Sequence, residues 1–270
     1  STIDYLVGGA ILPIPLGWLL DSYPGSWQWI FFFTASLGML STALLTTLAI
    51  NPEYSPSSTA SAKFTFTTLL LKPWKEAFSI FTYKNSFRKF TLGFTWGAAA
   101  LMLIQPILPS FWVKDLQLSY TELMIALSVC KGIGVLISSK FWVRYFRKYN
   151  IFLVSSLVDI CILAFLFLLG LSHWNRHILL SAYLVYGVMQ SGSELVWHMS
   201  GPYFSQKEES SAYTSTNLLI AGMRGCIFPY LANLLFSSPL MVISCAFLFA
   251  TIATVQMALM GKKEPLPSQQ

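Results

Sequence analysis

Eight stretches of this chain each run for roughly 20 mostly apolar residues, the helical length that crosses about 30 Å of hydrocarbon. They cover 5–22, 28–49, 89–112, 120–139, 150–171, 177–199, 212–235 and 239–260. In lipid, only helices and closed barrels satisfy every backbone amide internally. Period-two alternation is nowhere sustained over comparable lengths, whereas a barrel needs many segments of about ten residues. The spacing therefore predicts an all-α membrane protein, a polytopic bundle of eight transmembrane helices. Composition agrees, because 55% apolar and only 10% charged residues do not make a soluble globular surface.

The net charge of +6 raises nucleic acid as a partner. The basic residues sit in short gaps between apolar runs instead of clustering on one water-facing surface, so the expected partner is the lipid bilayer and not nucleic acid. Cys130, Cys161, Cys226 and Cys245 all fall inside apolar runs without CxxC spacing, which suggests neither a zinc site nor a disulfide framework. No Walker loop, GxGxxG turn, HExxH helix or nucleophile elbow occurs, so ATP-driven transport and embedded hydrolysis lack a positive signal. We expect no cofactor, no metal and no enzymatic activity. The opening STIDYLVGG has neither an initiator Met nor a basic leader, and the expectation is a fragment of a longer protein.

Basic residues of short loops accumulate on the cytoplasmic side. Lys63, Lys72, Lys75, Lys84, Arg88 and Lys89 lie in one gap, Lys140, Arg144, Arg147 and Lys148 in another, Lys207 in a third, and Lys262 and Lys263 in the tail. That places thirteen of seventeen on one side, against Lys114 and Arg176 on the other. The expected location is the cell (inner) membrane, with a cytoplasmic C-terminus. Residues 51–62, NPEYSPSSTASA, read as a flexible linker. FTFTTLLLKPWKEAFSIF after it is either an amphipathic piece at the interface or an ordinary basic loop. This divides the chain into 1–49 (two helices), 50–88 (central cytoplasmic linker), 89–260 (six helices) and 261–270 (cytoplasmic tail).

Two adjoining motifs are more specific. Residues 13–21 read PIPLGWLLD and residues 27–33 read WQWIFFF. The pair resembles the major facilitator superfamily, and its drug/proton antiporters in particular, whose fifth helix carries G-P-x-x-G-G-x-L-x-D and whose sixth opens W-R-W-I-F. Pro13, Gly17, Leu19, Asp21, Trp27, Trp29, Ile30 and Phe31 match. Leu12 and Leu16 stand for two glycines and Gln28 for the arginine. Residues 143–148 keep only the basic positions of the family's D-R-x-G-R-R loop. The resemblance equates the eight runs with family helices five to twelve, a partial major facilitator fold. It makes Pro13, Gly17, Asp21, Trp27 and Trp29 structural motif positions. It also implies a secondary transporter that moves a small solute by alternating access as two six-helix halves rock about a midplane site.

Ionisable residues at mid-membrane cost about 2.5–3.5 kcal/mol even on translocon scales, so those present are functional or paired. They are Lys131, Asp159, Glu194, His198 and Arg224. At about 100° per residue, Tyr183, Tyr186, Gly187, Gln190, Ser191, Glu194, Trp197 and His198 share a sector of roughly 120°. This stripe either lines the central cavity that the tenth family helix borders or joins helices by hydrogen bonds. Asn217 and Arg224, seven apart, share a face of a helix that Gly222, Gly225 and Pro229 are expected to bend. Arg224 either binds an anionic solute group or neutralises Glu194 across an axial offset of about 10 Å, counted from the run ends.

Glu194 is a candidate to exchange a proton as water access alternates. His198 reads as an interface histidine or a relay, and Asp159 is a further candidate, expected in a local hydrogen-bonded pair or in contact with Lys131. Gln105, beside Pro106 and Pro109 and with Trp96, offers a second cavity wall or only a packing kink. The expected solute and coupling set is thus Glu194, Arg224, Gln190, Asn217, Tyr186, Gln105 and His198, with a small solute and protons as partners. Two alternatives stay open: a non-transporting membrane sensor of the same fold and, more distantly, an intramembrane enzyme using Glu194 and His198.

Overall fold

The computed structural model describes residues 12–46, 66–205, 210–235 and 238–264, and every regular element within them is helical. Helix α1 spans Pro13–Ser22, α2 Trp27–Thr46, α3 Phe66–Tyr83 and α4 Asn85–Ile104. A short α5, Leu108–Ser110, runs into a π-helical turn at Phe111–Asp115. Helix α6, Tyr120–Met124, passes through a second π stretch, Ile125–Cys130, into α7, Lys131–Lys148. The remainder are α8 Ile151–Leu171, α9 Ile178–Ser205, α10 Ser210–Leu235 and α11 Pro239–Gly261.

By length and apolar composition, four continuous stretches among the described residues can cross a membrane: Trp27–Leu45, Tyr120–Lys148, Ile151–Leu171 and Pro239–Gly261. Helix α4 with Leu108–Asp115 makes a fifth if the pair, bent by 41°, is one span. The bend falls at the Pro106–Pro109 segment, where ring closure removes the amides a straight helix needs. Helices α9 and α10, at 28 and 26 residues, are also long enough but fall short on hydropathy because each carries a polar face. The first run is described only from Leu12 onward, and the linker at 51–62 lies outside the described residues. FTFTTLLLKPWKEAFSIF forms α3 from Phe66, and this helix lies against α10 and α4.

Five of the longer helices from α4 onward close a ring of neighbours: α9 packs on α8, α8 on α11, α11 on α4, α4 on α10, and α10 returns to α9, while α7 packs on α9 from outside the ring. Small residues set the tightest crossing. A Cβ on Gly134 would strike the Leu184 carbonyl, and one on Gly187 the Lys131 carbonyl, so α7 and α9 meet backbone to backbone, as small-residue seams do in membranes. One end of the ring is tied by Asn150, which caps α8 by accepting from the Leu153 N–H at 3.0 Å. Its Nδ2 donates to the Gly261 carbonyl at the end of α11, at 2.8 Å.

One local expectation changes. The run expected to stop at 199 continues as α9 to Ser205, straight through Pro202. Pro202 removes one amide, the partner of the His198 carbonyl, and the helix carries on through this single loss. Helix α10 runs unbroken past Gly222, Gly225 and Pro229. A Cβ at Gly222 or Gly225 would meet nothing within 4 Å, so these residues leave open surface on α10.

Candidate functional site

The polar stripe of α9 is shared among several neighbours. Tyr186 lies edge-on to Phe165 of α8 at 4.9 Å, and Tyr183 adjoins both rings, so the tyrosines belong to the α8–α9 packing. Gly187 meets α7, and the Trp142 indole N–H donates to the Val188 carbonyl at 2.8 Å. Between these contacts stand Gln190 and Glu194, one turn apart and half-buried, with Gln190 Nε2 donating to Glu194 Oε1 at 2.8 Å. The other end of that amide, Oε1, is buried and has no hydrogen-bond partner among the described residues.

Helix α10 supplies the facing groups. Asn217 is buried and its Nδ2 donates to Ser200 Oγ at 2.8 Å, so it fastens α10 to α9. Two turns further on the same face, Arg224 is 8% exposed. Its guanidinium carbon lies 5.3 Å from the centre of the Phe94 ring on α4 and 5.9 Å from that of Trp197 on α9. The two rings stack on each other at 6.1 Å and 29°. Ring faces thus hold the cation, and its Nε is buried without a hydrogen-bond partner among the described residues.

Burying a cation costs several kcal/mol after relaxation, while a desolvated cation–π contact returns about 2 kcal/mol. Two such contacts leave this group short of hydrogen-bond acceptors. That unmet demand is the strongest chemical feature of the interior.

The depths also differ from the sequence estimate. Glu194 stands eleven residues before the end of α9 at Ser205, and Arg224 fourteen after the start of α10 at Ser210. At 1.5 Å per residue the offset falls from about 10 Å to about 4.5 Å. The two charged groups occupy nearly the same layer.

The other expected residues are more dispersed. Gln105 is exposed at the bend after α4, and His198 is exposed on α9. Asp159 does not meet Lys131. It is 4% exposed on α8 and faces Gly97 of α4, whose missing side chain makes room for it, and its Oδ2 lacks a hydrogen-bond partner among the described residues. Lys131 begins α7 beside Gly187, on the α9 side, and α7 scarcely touches α8. The expected contact fails because the two residues sit in different seams. Phe94, half of the aromatic cradle, was not singled out in the sequence. Its spacing from Phe87 and Phe90 places all three on one side of α4, a signal that only the partner helices make meaningful.

The N-terminal motif occupies a different interface. Asp21, at the end of α1, accepts from the N–H groups of Tyr120 at 2.8 Å and Thr121 at 2.9 Å, and from the Thr121 hydroxyl at 2.6 Å. A carboxylate here matches the positive end of α6. Gly17, one turn earlier, lets the backbone close in, since a Cβ would sit 3.0 Å from the Tyr120 carbonyl and the Thr121 Cα. Pro13 opens α1, while Trp27 and Trp29 are exposed on α2, with Trp27 edge-on to Phe31 at 6.1 Å.

With this geometry established, comparison of the chain with family models matches the Major Facilitator Superfamily over residues 5–229. The chain belongs to the Major Facilitator Superfamily. It is accordingly a multi-pass integral membrane protein with a partial major facilitator fold, and its general function is membrane transport. No curated protein and no solved structure matches it. Within the superfamily assignment, the matched region takes in the Asp21 contact, the Gln190–Glu194 pair and the aromatic cradle of Arg224.

Proposed function

We propose that this chain forms part of a secondary active transporter that moves a small solute by alternating access, with the solute held between α4, α9 and α10. The observation that carries the reading is Arg224, buried in the layer of Glu194 with an unpartnered Nε and two aromatic faces beside it. A static membrane bundle gains nothing from such a group, whereas a solute supplies the missing acceptors. Gln190 offers its free Oε1 to a donor on the same solute. Asn217 positions α10 against α9, and Tyr186 of α9 backs the site against Phe165 of α8. In this reading Gln105 and His198 stand at the exposed margins of the route.

Glu194 is assigned the proton-coupling role, because a half-buried carboxylate near a solute-binding cation can exchange a proton with whichever side is open. Residues 1–49 would belong to the first half, 50–88 to a cytoplasmic connection, 89–260 to the second half and 261–270 to a cytoplasmic tail, in an inner membrane. The test is solute accumulation by the full-length protein in proteoliposomes, with and without a pH gradient. Glu194→Gln should abolish gradient-driven accumulation while leaving solute exchange intact. Accumulation indifferent to the gradient removes proton coupling, and a lack of uptake across a broad solute panel favours a sensor.

A further inference from the structure

We infer that the solute group received by Arg224 is an organic anion borne on a planar, aromatic framework, an inference that rests on the solute-site reading above. Arg224 is more than nine-tenths buried, yet its Nε has no hydrogen-bond partner among the described residues. Its planar fork of donors matches a carboxylate or sulfonate edge-on, with two parallel bonds. Phe94 and Trp197 lie close under the same group, at 5.3 and 5.9 Å, and are tilted only 29° from each other. A flat ring attached to the anion can stack on the indole or phenyl face while its charge meets the fork.

A cationic solute would set a second positive charge against the buried Arg224, and such like-charge juxtaposition is costly. A neutral isostere would leave the buried fork unmatched, and sites built on buried polar groups discriminate strongly against such analogues.

Three probes share one ring and differ in charge at neutral pH: benzoate, benzamide and benzylammonium. Binding to the full-length protein in detergent is followed by thermal stabilisation and by tryptophan fluorescence, with Trp197→Phe identifying the contribution of the ring beside Arg224. Benzoate should bind at least about tenfold more tightly than benzamide, with benzylammonium weaker still. Arg224→Gln should abolish the preference, and Arg224→Lys should retain part of it. Equal or tighter binding of benzamide or benzylammonium overturns the inference, as does benzoate binding unchanged in Arg224→Gln, or no response to any probe at millimolar concentration. The wild-type comparison holds whether or not the variants fold. Benzoate binding through Arg224 without uptake of any solute would remove the transport reading and keep the anion site. Uptake of a neutral or cationic solute unaffected by benzoate and by Arg224→Gln would do the reverse.

Discussion

Asp159 and Gly97 show how one residue's absence of a side chain allows another's presence. The carboxyl of Asp159 fills the space that a Cβ on Gly97 would need. Gly97→Ala is therefore expected to destabilise the protein by about 1–3 kcal/mol through overpacking. In an Asp159→Ala background most of that penalty should vanish, because the two changes share one volume. Thermal unfolding of the four proteins in detergent checks this, and an equal penalty in both backgrounds would sink it. At this scale the sequence was only half legible. A buried charge announces itself within an apolar run, as Asp159, Glu194 and Arg224 all did. What it touches does not, because Gly97 and Phe94 look like ordinary residues of an apolar helix until α8, α9 and α10 are placed around them.

For whole elements, reading periodicity and length served well where packing alone decides, as in α8 and α11, whose all-round apolar surfaces need only a membrane and neighbours. It failed at the end of α9, where the apolar run ends at 199 and the helix continues through Pro202 to Ser205. The junction of α1 with α6 is a second case. A motif picked out Asp21, but its partners lie 99 and 100 residues away and could not be read from spacing. Asp21→Asn replaces a charged cap by a neutral one and should cost about 1 kcal/mol at the start of α6. The measurable sign is hydrogen exchange roughly fivefold faster at the Tyr120 and Thr121 amides, with distant amides of α8 unaffected. Unaltered exchange at those two positions would mean that the local Ser119–Glu122 capping box suffices.

Across the whole molecule, the interior of the helix ring should be reachable by water if Gln190 and Glu194 face a solute route. Cysteines placed at these two positions, in a background freed of the exposed native Cys226 and the three others, should react with membrane-impermeant thiol reagents. Added benzoate should slow that reaction. Lack of labelling from either side of the membrane would place the pair in sealed protein packing and contradict the transport proposal.

The end of the bundle that carries Ser205 and Ser210 has a consequence of its own. Phe87 and Phe90 of α4, Phe152 of α8, Phe204 of α9 and Tyr213 of α10 touch ring to ring at 5.1–6.0 Å. Five rings drawn from four helices work like a clasp: none of those helices can loosen there without unseating the other three. Heating should therefore melt the four together, in a single sharp calorimetric transition, before any one of them peels away.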